Sequence, residues 1–307
     1  MTADLTNPIF TDETAAREWL EGKRWPNGPV CPHCGTTAEG VHRLEGGAHR
    51  PGLYQCNGCH GQFSVTIGTL YERSHIPLHK WLLATHLLTS SKKGMSAHQL
   101  HRMLGITYKS AWFMAHRIRE GMTDNGSSGT MGGNGKVIEA DETYYGPKQY
   151  THGRKGKQGP GGKRKVVTLV ERKGGARSFH VENIDGKTIR KVLLGNASPK
   201  SRLMTDEAGV YPSIGLQFAD HKAVMHSAGE YVRGDVHTNT IEGFFSIFKR
   251  GMHGVYQHCG ERHLQRYLNE FDFRYSNRSA LGVTDAMRAE RAIKGIEGKR
   301  LTYRPSH

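Results

Sequence analysis

The feature that most restricts this chain is a pair of cysteine knuckles, Cys31-Pro32-His33-Cys34 and Cys56-Asn57-Gly58-Cys59, with 21 residues between them. Each CxxC turn lets two thiolates converge on one ion, and two such turns complete a tetrahedral Zn²⁺ site. Cys31, Cys34, Cys56 and Cys59 are therefore read as the ligands of one structural zinc. A redox role would need a single CxxC, usually at a helix start. Phe63, Val65 and Ile67 after the second knuckle fit the short strands of a zinc ribbon, a module too small to fold without its metal. Five cysteines in 307 residues are not a secreted disulfide framework. The fifth, Cys259, reads as an ordinary thiol.

Upstream, Thr14 to Glu21 forms a short helical stretch after Thr11-Asp12. Downstream, apolar residues recur at helical spacing: Trp81, Leu82, Leu83, Leu87 and Leu88, then Leu100, Met103 and Leu104, then Ala111, Trp112, Ala115 and Ile118. Ser96 to Leu104, the Gly105-Ile106 turn and Thr107 to Arg119 have the layout of a helix-turn-helix, with Thr107 as cap of the second helix. Tyr108, Lys109 and Ser110 stand at the end that a recognition helix presents to the major groove, and Lys109, Arg117 and Arg119 are its candidate DNA contacts. An ordinary helical hairpin with Trp112 and Ile118 in its core fits the same pattern.

Glycine, serine and asparagine then fill a linker. Beyond it, Val137 to Tyr144, Val166 to Val170 and Phe179 to Val181 read as buried strands, and Thr188 to Leu194 as a helix. Arg202 to Thr205 reads as a strand and Thr240 to Arg250 as a helix, with more helix after Glu261. Strands followed by helices predict an α/β layer domain. The expected division is 1–75 for the first helix and ribbon, 76–122 for the helical DNA-binding segment and 123–135 for the linker. The α/β domain follows over 136–285, and 286–307 is a basic C-terminal tail.

Lys plus Arg number 43 against 28 Asp plus Glu, a net charge of +15 that calls for a polyanionic partner. A net +10 of it falls within residues 151–200. There Arg154, Lys155, Lys157, Lys163, Arg164 and Lys165 are interleaved with glycines, a composition too flexible and self-repelling to pack, which predicts a mobile basic loop: either a DNA contact or a solvated stretch whose charge only aids solubility. With no uninterrupted apolar run of about 18 residues and no secretory-type start, the expectation is a cytoplasmic protein with no membrane partner.

Three acids stand out. Asp141 lies in an apolar strand, where an uncompensated carboxylate is costly. Asp206 follows Leu203-Met204-Thr205, and Glu242 opens a helix whose apolar face is Ile241, Phe244, Phe245 and Phe248. Singly, each has a plain explanation: a strand end, a turn former, a helix N-terminal charge. Together, the gap of 35 residues between Asp206 and Glu242, and Lys249 two helical turns after Glu242, form a pattern. Glu142 alternates to the opposite strand face and is excluded.

That D…D…35…E layout with Lys at plus seven resembles the DDE transposases with a ribonuclease-H-like core. More closely, the chain resembles the ISXO-like insertion-sequence transposases, which join a zinc ribbon, a helical DNA-binding segment and that core. The matching stretches are CPHC, CNGCHGQFSVTIGT, MSAHQLHRMLGITYKSAWFMAHRIRE, IEADETYYG, TDEAGVY, HTNTIEGFFSIFKRGMHGVY and HLQRYLNEFDFRYSNR, spanning about residues 20 to 278. The resemblance implies a mixed sheet flanked by helices, and metal-dependent cleavage and transfer of DNA strands. Asp141, Asp206 and Glu242 would hold two Mg²⁺ or Mn²⁺ ions, as hard carboxylate oxygens favour, and Lys249 and Arg250 would contact DNA. In some relatives an Asn contributes to the third position, so Asn239, one turn before Glu242, is a supporting candidate, as is His237. The partners implied are double-stranded element ends and target DNA, with a homodimer or larger assembly on DNA. A DNA-binding regulator without catalysis and a ribonuclease-H-like nuclease are the alternatives.

Overall fold

Helix ends leave amides without partners, and the first helices of this chain all begin where a side chain supplies an acceptor. In the computed structural model, which describes residues 4–124, 129–146 and 163–302, Asp12 caps α1 (Glu13–Arg24) by accepting from the Ala15 N–H. The ribbon follows as an antiparallel sheet of β1 (Val41–Leu44), β2 (Leu53–Cys56) and β3 (Gln62–Phe63). Trp25 packs edge-on against both Tyr54 and Phe63, giving this small sheet an aromatic core. Helix α2 (Leu78–Ser90) starts at a proline. Its first amides, from Leu78 and His79, donate instead to the Glu13 carboxylate. Ser96 caps α3 (Ala97–Leu104) and Thr107 caps α4 (Tyr108–Gly121), as the helix-turn-helix reading expects. Gly105 makes the turn between them with a left-handed φ of 60°, which glycine adopts without steric cost.

The second compact unit, residues 124–282, is built on β4 (Val137–Tyr145), β5 (Arg164–Glu171) and β6 (Ala176–Val181), followed by α5 (Gly186–Asn196) and β7 (Arg202–Thr205). Then come α6 (Pro212–Gly215), β8 (Asp220–Ala223), a small hairpin of β9 (Val232–Arg233) and β10 (Val236–His237), α7 (Asn239–Gly251) and α8 (Leu264–Ser276). The main sheet runs β6-β5-β4-β7-β8. Its first three strands pair antiparallel and the last two join in parallel. Alternation along β5 explains the layering. Val166 and Val170 pack into one core with Phe244, Phe245 and Phe248 of α7 and Phe271 of α8. Val167 and Leu169 pack into the other, with Ile189 and Leu193 of α5. A sheet covered on both faces accounts for the nearly continuous apolar strands.

The edge strand β6 would leave a row of amides unpaired. Helix α8 closes it: Ser276, Asp272 and Gln265, spaced along one helix face, accept from the N–H groups of Ala176, Ser178 and His180.

The C-terminal expectation differs from what is seen. Residues expected to form a basic tail contain α9 (Asp285–Lys294), which belongs to the same compact unit as the first 123 residues. It packs on α2 and α4 through buried Ala289, Ala292 and Ile293. The basic count of this stretch masked its 3–4 residue apolar spacing. The ribbon and the helical segment likewise form one unit with it, rather than two separate modules. Among the described residues, no helix is long and apolar enough to cross a membrane.

Asp272 tests the edge closure. Asp272→Ala leaves the Ser178 amide without its acceptor, and a loss of about 1–3 kcal/mol of stability is expected from urea unfolding. An unchanged midpoint would show that α8 does not seal the edge.

Candidate metal centres

The four ribbon cysteines converge as their spacing requires. Cys31 Sγ lies 3.7 Å from Cys59 Sγ and Cys34 Sγ lies 3.5 Å from Cys56 Sγ. All four sulfurs fall within 4.8 Å of one another. A tetrahedron with Zn–S bonds of about 2.3 Å has edges of roughly 3.8 Å, so this donor set fits zinc. The Thr36 hydroxyl lies 3.1 Å from Cys34 Sγ. Hydrogen bonding to Thr36 holds Cys34 below the usual thiol range and draws Cys56 down to about 6, toward the thiolate that a metal needs.

The acids are arranged by the sheet. Strand β4 runs parallel to β7 with Glu139 level with Met204. Two residues further along both chains stand Asp141, opposite Thr168 of β5, and Asp206, one residue past the end of β7. Asp206 Oδ1 accepts from the Ala208 N–H at 3.0 Å and so turns the chain. Glu242 sits in the first turn of α7, where the buried Thr238 hydroxyl donates to its carboxylate at 3.1 Å. Burial pushes the Asp141 carboxyl up to about 7. The Glu142 N–H, 2.7 Å away, opposes that rise, while the charges of Asp206, Glu142 and Glu242 add to it. These acids are therefore electrostatic neighbours. Among the described residues, only the cysteines gather three or more such ligand atoms within 4.8 Å, so the acids form a wider arrangement.

Glu142 does face the opposite way, toward the α5 side, where the Tyr211 hydroxyl donates to it at 2.5 Å. Its carboxyl is nevertheless raised by burial and by the charge of Asp206. Alternation gives the face of a residue, but not its distance from a neighbouring strand's end. Glu142 and Thr238 are thus parts of the acid cluster's surroundings that sequence reasoning left out.

The remaining candidates separate into exposed and buried. Lys249 and Arg250 are exposed at the end of α7, on the helix that begins with Glu242. Asn239 is exposed at its first position. His237 lies behind the acids, its Nδ1 3.1 Å from Arg172. Lys109 is exposed at the start of α4. Arg117 and Arg119 are not surface contacts: both are buried. The Arg117 guanidinium donates to the Glu72 carbonyl at 2.7 Å and lies over the Trp81 ring. Residues 116–119 of α4 are all buried, so this end of the helix is enclosed on every side, which a count of basic residues does not reveal. Of the basic loop, Arg154, Lys155 and Lys157 lie outside the described residues. Lys163 and Arg164 are partly exposed, while Lys165 donates to the Glu182 carbonyl and to Asn183.

Comparison with known proteins matches these two centres separately. A family model described as an ISXO2-like transposase domain matches residues 132–276, and one described as a transposase zinc-ribbon domain matches residues 11–62. The chain is also 30% identical over 284 residues to an uncharacterized protein in transposable element ISH50 of Halobacterium salinarum, covering 86% of this chain and 91% of that relative. No solved structure matches.

A raised carboxyl makes stability fall as pH rises, because the folded state holds a proton that the unfolded chain has released. For Asp141 this window runs from the ordinary carboxylate value to about 7. Asp141→Asn in zinc-loaded protein without other divalent ions is expected to gain on the order of 4 kcal/mol at pH 8, and little at pH 4. Thermal melts at both pH values check this; an equal gain at both would contradict the raised Asp141 carboxyl.

Proposed function

Since the chain belongs to the ISXO2-like transposase family, we propose that it binds the terminal inverted repeats of an insertion sequence and catalyses metal-dependent cleavage and transfer of DNA strands. The observation that carries this reading is the placing of Asp141 within β4, Asp206 just past the end of the parallel β7 and Glu242 in the first turn of α7, where burial first and then the charges of Asp206, Glu142 and Glu242 raise the Asp141 carboxyl. The sheet order β6-β5-β4-β7-β8, three strands antiparallel and two joined in parallel, supports a ribonuclease-H-like core.

Asp141, Asp206 and Glu242 are the residues that would hold Mg²⁺ or Mn²⁺. Their hard oxygens suit those ions. When bound, the ions supply Lewis-acid activation of the attacking hydroxyl and neutralise the leaving oxygen. The protein's own part is to fix the three carboxylates on two adjoining strands and one capped helix, so that little reorganisation is needed. Lys249, two turns from Glu242 on α7, holds a phosphate beside the acids. Arg250, Lys163, Arg164 and the loop residues Arg154, Lys155 and Lys157 add positive charge that attracts DNA otherwise repelled by the acids.

The ribbon and the α3–α4 pair, with Lys109 at the exposed start of α4, recognise the element ends. Zinc in the ribbon is structural. Two ends must be joined in one assembly, so the DNA complex holds at least two copies of the chain, acting in the cytoplasm.

The test is cleavage of element-end DNA in Mg²⁺. Wild type cuts, whereas Asp141→Asn, Asp206→Asn and Glu242→Gln bind the same DNA and lose at least about a hundredfold in rate. Wild-type protein that binds the ends but never cuts them would identify a regulator instead. Neutralising Arg154, Lys155 and Lys157 is expected to lower the salt dependence of DNA binding by roughly two to three in log–log slope. An unchanged slope would remove the loop from the interface.

A further inference from the structure

Glu139 is fully buried, two residues before Asp141 on the same face of β4. A carboxylate withdrawn from water must find several partners or it destabilises the fold. Glu139 has them, and they come from three separate segments. Arg172, just past the end of β5, donates Nε to Glu139 Oε1 at 2.6 Å. The Thr240 hydroxyl donates to Oε1 at 2.8 Å, and the Ile241 N–H donates to Oε2 at 2.9 Å. Both donors belong to the first turn of α7, immediately before Glu242. His237 Nδ1 stands 3.4 Å from the same carboxylate. Arg172 uses its remaining N–H groups on the carbonyls of Asp235 and His237, tying the β9–β10 hairpin into the joint.

The geometry points to Glu139 as a positioning residue, which fixes where Glu242 stands relative to Asp141. One end of the link is covalent, two residues along β4; the other is a pair of hydrogen bonds to the residues that precede Glu242. A negative charge at the start of α7 also complements the helix dipole, so the anchor favours the observed seating of the helix. Arg172 balances the charge, which lets Glu139 remain buried beside an acid cluster without joining it. The chemistry this serves is the seating of divalent cations, and the inference rests on the cation-binding reading of the three acids.

The test measures Mn²⁺ binding to the zinc-loaded full-length chain by electron paramagnetic resonance of the free ion, without DNA and without turnover. Glu139→Gln replaces one accepting oxygen with a donor, so it cannot serve both Arg172 and the start of α7. Its Mn²⁺ affinity is expected to fall about tenfold. Thr240→Val, nearly isosteric and partly exposed, removes one link without disturbing the buried ion pair; it should weaken Mn²⁺ binding less, and Thr240→Ser should restore it. In a Glu242→Gln background, Glu139→Gln should cause no further loss, because its effect runs through Glu242. Wild-type Mn²⁺ affinity in both Glu139→Gln and Thr240→Val, whatever happens to the melting temperature, would make Glu139 a purely structural ion pair and overturn the inference. A further loss in the Glu242→Gln background would overturn it too. Equal Mn²⁺ binding by wild type and Asp141→Asn is a separate result: it would refute the cation-binding reading itself, and the inference with it.

Discussion

Holding a buried carboxyl beside other acids is the constraint around which the second unit is organised. Burial first, and the charges of Asp206, Glu142 and Glu242 after it, raise Asp141 above the ordinary carboxylate range, yet the fold keeps it within β4, next to the strand that ends just before Asp206. Backbone pairing does most of this. The parallel register of β4 and β7 fixes two of the acids, and the seating of α7 over the apolar face of β5 fixes the third. Burying Ile241, Phe244, Phe245 and Phe248 supplies hydrophobic stabilisation that offsets the cost of withdrawing that carboxyl from water. Carboxyls perturbed in this way are concentrated at functional sites.

Much of this was legible in the chain because the signals were local. The CxxC spacing identified the four sulfurs that converge, and Thr107 and Gly105 act as the cap and the turn that the sequence predicts. The strand at Arg202–Thr205 ends where the apolar run ends. What escaped was set by tertiary packing. Helix α9 looked like a basic tail because Arg288, Arg291 and Lys294 dominate its composition, while its small apolar residues pack on α2 and α4. Arg117 and Arg119 read as phosphate contacts because charge alone does not reveal that this end of α4 is enclosed all round. Glu139 carried no signal beyond its place in an apolar strand; its partners lie 33 and about 100 positions away.

The two units answer different physical problems. In the first, a small sheet with few core residues depends on a metal held by four sulfurs and on aromatic packing among Trp25, Tyr54 and Phe63. The second is large enough to bury two apolar layers and can tolerate a charged cluster at its margin. The net charge of +15 follows the same division of labour. Its excess is concentrated after β4, in sequence close to Asp141, rather than in the α3–α4 pair, where two of the expected cations are buried.

A divalent-cation site acting on DNA at the three acids is tested by anomalous scattering from crystals of the protein with element-end DNA and Mn²⁺. Anomalous peaks bounded by Asp141, Asp206 and Glu242, next to a phosphate of the DNA, are expected. Peaks only elsewhere, or a DNA backbone that passes far from these carboxylates, would contradict it.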